Sequence, residues 1–234
     1  MNNNQITSLV GIDLSKFIVL ERENGSRLYI TKGRNYPDLS HNWDFNRDWY
    51  SHHIGLQRRG GRMLTLPEFW DFLKLLQSGK VEDGKGKKLS PLEIIELYNL
   101  ITEKRSPLRG EFLDAQIHRV YTEVNIVDIE LSLNWSHQLQ KGKLVPQFSE
   151  SLDSDTFLED KVPGISLNEV IAKHTIQGLP RKDTKEGNMT YWSPANGCVP
   201  IFAADHYFFG LQFISPSNSD DLLGARLVCE LRSP

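Results

Sequence analysis

The residues best suited to bind a metal ion lie in the first quarter of the chain. They are His41, Asp44, Asp48, His52 and His53. Imidazole and carboxylate groups ligate transition metals, but this spacing matches no HExxH or carboxylate–histidine pattern. Two adjacent histidines on a strand would also point to opposite faces. The sequence therefore favours a polar, aromatic-rich loop here, and no metal or cofactor is expected.

A glycine-rich segment at residues 79–86 has two glycines five positions apart and then a lysine, as phosphate-binding loops do. A P-loop requires Ser or Thr after its lysine and a strand before its first glycine. In this chain Gly86 follows Lys85, and the preceding residues have helical periodicity. We interpret the segment as a solvated connector between two helices.

Nucleophilic, redox and calcium chemistry find little support in the sequence. Cys198 and Cys229 are 31 residues apart and form no CxxC motif, which favours buried thiols over redox chemistry. No GxSxG sequence is present. One loop is acidic but lacks EF-hand spacing, so we interpret it as a solvated face; its acids are Asp153, Asp155, Glu159 and Asp160. No catalytic residue is predicted.

Composition excludes several protein classes. The 234 residues carry a net charge of −3, which argues against a dedicated nucleic-acid binder. Hydrophobic residues make up 39% of the chain, enough to build a core. No apolar run approaches the roughly 20 residues that cross a bilayer, and the first 17 residues lack a signal-peptide pattern. We expect no membrane span and no nucleic-acid partner, and a cytoplasmic or virion-associated location.

Local signals predict a hairpin and four helices. Asn24-Gly25 supplies a tight turn between two β-rich runs at 17–20 and 27–30. Thr65 with Glu68, and Ser90 with Glu93, are capping boxes that precede apolar stripes at helical spacing. Two further helices are predicted to start at Ser106-Pro107 and at Ser166, and to run to about residues 118 and 178. Residues 33–62 are expected to form ordered loop and short strands.

The rest of the chain is predicted to be mainly β. Predicted strands cover 128–135, 189–192, 199–202, 207–214 and 225–232, and residues 140–163 are expected to form a long exposed loop. In the last strand Leu227, Cys229 and Leu231 alternate with Arg226 and Val228, which predicts one buried face. We expect a single α+β domain over residues 1–234, with a helical region at about 66–118.

The segment 188–219 has the most unusual composition. It mixes aromatic side chains with Asn, Asp, His, Gln and Ser, the residue types that a paratope-like surface uses for contact area and adaptable hydrogen bonds. The same aromatics also suit the core of a β-rich lobe. Both interpretations hold together if the two sets of side chains occupy opposite faces of the strands.

Two motifs at opposite ends of the chain resemble one family. Residues 61–70, Gly-Arg-Met-Leu-Thr-Leu-Pro-Glu-Phe-Trp, resemble the helix opening of formylglycine-generating-enzyme and C-type-lectin-like domains. Residues 217–228 resemble the closing loop and last strand of those domains, with Gly-Ala-Arg replacing the usual Gly-Phe-Arg. The resemblance implies a C-type-lectin-like α+β fold with an N-terminal hairpin, inserted helices and a β-rich C-terminal lobe. Its last strand would return beside the N-terminal hairpin.

The resemblance implies display of a ligand surface and no oxidase activity. Formylglycine-generating enzymes use a cysteine pair before the closing loop, where residues 204–210 contain no cysteine. The chain also resembles variable proteins of diversity-generating retroelements, whose C-terminal segment carries diversified ligand-contact residues. We therefore expect a non-enzymatic protein that binds a protein or a cell-surface glycan. The expected contact residues are Tyr191, Ser193, Asn196, Asp205, His206, Tyr207, Phe209, Gln212 and Ser215.

Two alternatives from other classes stay open at this point. One is an iron-dependent oxygenase of the same superfamily that uses carboxylates or the histidines His41, His52, His53 and His206. The other is a phage or prophage structural protein, for which a symmetric homo-oligomer is expected.

Overall fold

The structure is a computed structural model that describes residues 13–33, 48–104, 106, 109–121, 129–206, 208–219 and 223–231. Near the start of the chain, strands β1 (Phe17–Glu21) and β2 (Arg27–Thr31) form the predicted hairpin, with Gly25 at φ +77° in its turn. The C-terminal strand β14 (Val228–Leu231) pairs antiparallel with β2. The predicted return of the last strand to the N-terminal hairpin is therefore confirmed.

Four α-helices are present in the described part of the chain. They are α1 (Trp49–Arg58), α2 (Leu66–Gln77), α3 (Pro91–Thr102) and α4 (Leu167–Ala172). The capping boxes predicted the starts of α2 and α3, and the Thr65 amide donates to the Glu68 carboxylate at 3.0 Å. The prediction for 33–62 is wrong over α1, and its part at residues 34–47 lies outside the described residues. Helix α4 is shorter than predicted.

A six-stranded sheet runs through the centre of the protein. In spatial order its strands are β13 (Leu223–Gly224), β3 (Arg109–Phe112), β11 (Val199–Ala204), β12 (Phe209–Ile214), β10 (Met189–Tyr191) and β9 (Lys161–Ile165). Strands β11 and β12 form an antiparallel hairpin, while β10 lies parallel to β12. The predicted strands at 189–192, 199–202 and 207–214 are confirmed with small shifts at their ends.

Two smaller sheets flank the centre. One contains β4 (Ala115–Tyr121), β5 (Ile129–Trp135) and β8 (Phe148–Ser151), and the other pairs β6 (Gln138–Gln140) with β7 (Lys143–Val145). Strand β5 confirms the strand predicted over 128–135. The prediction of an exposed loop at 140–163 is wrong where β7, β8 and the start of β9 form, because each finds a pairing strand.

The helix predicted over 106–118 is wrong. Its apolar residues fit helical spacing, but β3 pairs with β11, placing Phe112 opposite Ile201. Gly110 of β3 lies against the Leu223 side chain, where an added Cβ would come within 2.4 Å. The predicted helical region at 66–118 therefore ends at Thr102, because long-range strand pairing outweighs local helical periodicity.

Apolar side chains pack on both faces of the six-stranded sheet. Helices α2, α3 and α4 cover one face, against residues such as Phe202, Leu211 and Phe213. Helix α1 and the chain around Leu227 cover part of the second face. The predicted one-sided burial of the last strand is wrong, because Arg226 and Val228 are as fully buried as Leu227.

The fold class α+β is confirmed by this arrangement of helices and sheets. Within the described ranges, no helix has the length and apolar character that a membrane crossing requires.

Candidate functional site

The predicted ligand residues divide by burial. The Tyr191 and Phe209 side chains are 0% and 3% exposed and face the core covered by α2 to α4. The Tyr191 hydroxyl donates to the carbonyl of Phe157, and burial raises the pKa of this phenol well above its usual range. Their predicted part in a ligand surface is therefore wrong: strand alternation turns these two side chains inward. Tyr207 lies outside the described residues.

Three other predicted residues are not grouped with each other. Asn196 is exposed, but its Oδ1 accepts the backbone amide of Arg119 at 2.9 Å, which turns it toward β4. Ser215 lies at the far end of β12, beside the turn whose Pro216 carbonyl accepts the amide of Trp49. Gln212 is half-buried in the middle of β12.

One end of the second sheet face is open and carries aromatic side chains. Trp192 continues β10, since its amide donates to the Leu211 carbonyl at 3.1 Å. Strand alternation places it on the opposite face from Tyr191, on the side that Gln212 occupies. Its indole is 47% exposed and packs edge-on against the half-buried Phe208, with ring centroids 5.9 Å apart.

Polar groups fix the two segments that carry this aromatic pair. Asp205 and Phe208 close a tight turn: the Asp205 amide donates to the Phe208 carbonyl at 2.7 Å, and the Asp205 carboxylate accepts the Phe208 amide. Asp160 accepts from the amide and hydroxyl of Ser193 at 2.7 and 2.8 Å, which lowers the pKa of Asp160. Together these segments form the open-face surface, which consists of Trp192, Ser193, Asp205, His206, Phe208 and Gln212.

A second candidate site is buried beneath the inner face of α1. His53, Asp114 and His137 come together there from three elements, and the exposed fractions of their side chains are 0%, 0% and 3%. Nδ1 of His137 lies 2.6 Å from Oδ1 of Asp114, and Nε2 of His53 lies 3.5 Å from the same oxygen. Oδ2 of Asp114 accepts the backbone amide of His137 at 3.0 Å.

Local structure aims each of these three side chains inward. Helix α1 buries Trp49, His52, His53 and Leu56 on one face, and the Trp49 ring packs against both His53 and His137. Asp114 occupies the corner between β3 and β4. His137 follows Ser136, a non-glycine residue at φ +54°, which costs about 1 kcal/mol.

The Gln57 side chain on α1 forms hydrogen bonds that link this helix to the corner containing His137. Its amide nitrogen donates to the His137 carbonyl at 2.7 Å, and its amide oxygen accepts the Leu139 amide at 2.5 Å. Gln57 lies one helical turn after His53, on the same helix face. The His137 backbone is therefore held rigidly opposite His53.

The sequence carried one signal for this cluster. Residues 49, 52, 53 and 56 have helical spacing, and Asp48 caps the helix through the amide of Ser51 at 2.8 Å. Because the histidines were treated as polar loop residues, the stripe was missed. No local pattern connects His53 with Asp114 and His137, since tertiary packing alone brings them together.

The other predicted chemistry gains no support. In the 79–86 connector the Asp83 carboxylate accepts the amides of Lys85 and Lys87, so an internal acid occupies the place a phosphate would take. Cys198 and Cys229 are both free and pack in different cores, and burial raises the pKa of the Cys229 thiol to about 11. Of the histidines named for an oxygenase, His206 is exposed on the 205–208 turn and His41 lies outside the described residues.

No protein-family model matches this chain, and neither does any curated protein or solved structure.

Proposed function

We propose that this protein is a non-enzymatic ligand-binding protein that contacts a protein or a cell-surface glycan through its open-face surface. The observation that carries this proposal is the exposed Trp192 packed edge-on against Phe208 at the uncovered end of the sheet. Tryptophan anchors surrounded by polar groups dominate the energetics of many binding surfaces. Ser193, Asp205, His206 and Gln212 would form that polar rim.

The proposed surface is held in place before a ligand arrives. The paired strands β10 and β12 carry it, and the Asp205 and Asp160 carboxylates fix the adjoining turns. A surface fixed in advance loses less conformational entropy on binding. We further propose a C-type-lectin-like fold of the kind that retroelement variable proteins use, and the pairing of β14 with the N-terminal hairpin supports it.

Sequencing of this gene across its source population tests the diversification that the proposal implies. Adenine-linked substitutions are expected at Trp192, His206 and Gln212, because these side chains reach the surface. Tyr191 and Leu211 are expected to stay constant, because both are fully buried in the core. The adjacent codons 191 and 192 are thus an internal control: variation that is equal at the two, or uniformly low from 188 to 219, contradicts diversified display.

Replacing Trp192 with Ala is expected to weaken ligand binding about thirtyfold, the effect of losing one hot-spot side chain. Binding of the fluorescently labelled protein to intact cells of the source community is measured by flow cytometry over a concentration series. Protease treatment of the cells removes a protein ligand, and periodate oxidation removes a glycan ligand.

The matched control for this substitution is Phe148→Ala. Phe148 is also an exposed aromatic, but it stacks on Trp135 in a different sheet. The Phe148→Ala substitution is expected to leave cell binding unchanged. Equal binding by the wild-type protein and a folded Trp192→Ala variant would show that the open-face surface does not carry the interaction.

A further inference from the structure

The cluster of His53, Asp114 and His137 contains a buried polar side chain that lacks a hydrogen-bond partner. Neither ring nitrogen of the fully buried His53 makes a hydrogen bond within the described residues. A buried polar group without a hydrogen-bond partner is less stable than an apolar ring of the same shape. The position of His53 therefore favours a bound metal ion, which would accept the lone pair of a ring nitrogen.

We propose that His53, Asp114 and His137 bind one divalent transition-metal ion that ties α1 to the β3–β4 and β5–β6 corners. Two imidazoles and one carboxylate suit zinc and ferrous iron, and a water molecule completes such sites. The proposal does not depend on the open-face surface. It changes the expectation from the sequence that no metal binds.

The geometry is close to that of a bound site. Ligands at 2.0–2.2 Å from a tetrahedral ion lie roughly 3.3–3.6 Å from one another. The separation of His53 Nε2 from Asp114 Oδ1 is 3.5 Å, which meets this requirement directly. The 2.6 Å contact of His137 Nδ1 with the same oxygen is a hydrogen bond, and opening it by about 0.7 Å admits the ion.

The three side chains can supply the donor atoms that the ion needs. The ring nitrogens of His53 form no hydrogen bond within the described residues, so one lone pair can bind the ion. His137 would coordinate through Nδ1, the ring nitrogen that faces Asp114. The Asp114 carboxylate keeps one oxygen on the His137 amide and offers the other to the ion.

The surroundings already hold the ligands as an outer shell does in metal sites. Gln57 fixes the backbone just after His137 through the His137 carbonyl and the Leu139 amide, and the Trp49 ring packs edge-on against both imidazoles with centroid distances of 4.2 and 5.0 Å. Ser136 adopts a left-handed conformation directly before His137. Strain of this kind is retained where neighbouring contacts over-determine a geometry, and it often accompanies functional sites.

Metal content and thermal stability of the full chain test the proposal. The protein is expressed without a polyhistidine tag in medium supplemented with zinc and iron, and it is purified without chelator. Elemental analysis is expected to find about one equivalent of metal per chain, and the identity of the ion separates zinc from iron. Removal by chelator followed by Zn²⁺ at about 100 times its dissociation constant is expected to raise Tm by roughly 5–10 °C.

Two substitutions and one control make the result specific. His53→Phe keeps a ring beside Trp49 and removes no hydrogen bond, and Asp114→Asn keeps the side-chain shape. Each is expected to retain less than about a tenth of the wild-type metal. His174→Phe removes a half-buried histidine that lies just after the end of α4, and it is expected to retain the full amount.

His53→Phe also separates the proposal from a purely structural cluster. The metal-free variant is expected to unfold at or above the temperature of the metal-free wild-type protein, because it removes the unsatisfied ring nitrogens, and to gain nothing from Zn²⁺. The proposal is overturned if the wild-type protein contains no metal and takes none up from micromolar Zn²⁺, or from Fe²⁺ under anaerobic conditions. Metal content that is the same in the wild-type protein and His53→Phe overturns it as well.

Discussion

Replacing Arg226 with Met is expected to lower the free energy of unfolding by about 3–5 kcal/mol, because the change strands a buried carboxylate. Arg226 is fully buried, and its Nε lies 2.9 and 3.0 Å from the two carboxylate oxygens of Glu111. Its Nη1 donates to the carbonyls of Thr31 and Lys32, and the guanidinium lies over the Phe72 ring at 5.2 Å. Urea denaturation monitored by tryptophan fluorescence measures the loss.

The double variant Glu111→Leu with Arg226→Met is the informative control. Replacing both partners of a buried ion pair with apolar groups is often neutral, so most of the lost stability is expected to return. The exposed pair of Lys173 with Asp183 provides the opposite control, since Asp183→Asn is expected to change stability little. If Arg226→Met stays within about 1 kcal/mol of the wild type, the pair does not support the fold as argued.

Arg226 also marks where inference from the sequence reached its limit. The pattern of the last strand placed Leu227 inside and Arg226 outside, because alternation assumes one solvated face. In the fold β14 lies beside β2, and the chain at Arg226 passes from β13 of the six-stranded sheet to β14. Arg226 and Leu227 are therefore both buried. The buried partner, Glu111, is 115 residues away along the chain. No local pattern could reveal this pair.

Elements with strong local signals were predicted well. Helices α2 and α3 start at the predicted caps, and the Asn24-Gly25 turn forms the predicted hairpin. The segment at 106–118 was predicted as a helix because Phe112, Leu113 and Ile117 have helical spacing. Its strands gain their stability from β11 and β5, which are distant in sequence.

The candidate surface was also predictable only in part: its segment could be identified from local sequence, but the pairing of its strands could not. Composition identified the 188–219 segment, and alternation within β10 and β12 then separates buried Tyr191 from exposed Trp192. The parallel pairing of these two strands brings Trp192 level with Gln212. Parallel pairing requires a crossover connection, and its register cannot be derived from either strand alone.

Replacing Gly178 with Ala is expected to destabilise the protein by about 2–5 kcal/mol, from a left-handed backbone and from a close approach to α2. Gly178 has φ +80°, and an added Cβ would lie 2.6 Å from both the Leu66 Cβ and the Pro67 nitrogen. The Gly178 carbonyl also accepts the buried indole N–H of Trp70 at 2.6 Å. Urea denaturation again measures the loss.

Gly197→Ala separates the two causes, because Gly197 has φ +77° but no atom within 4 Å of an added Cβ. Its loss is expected to be about 1–2 kcal/mol, the cost of the left-handed conformation alone. The difference between the two variants then measures the close approach at α2. The sequence predicted Gly178 as the end of a helix, whereas α4 ends at Ala172 and Gly178 instead contacts the first turn of α2. Equal losses in the two variants would contradict that role and leave only the backbone conformation to explain this glycine.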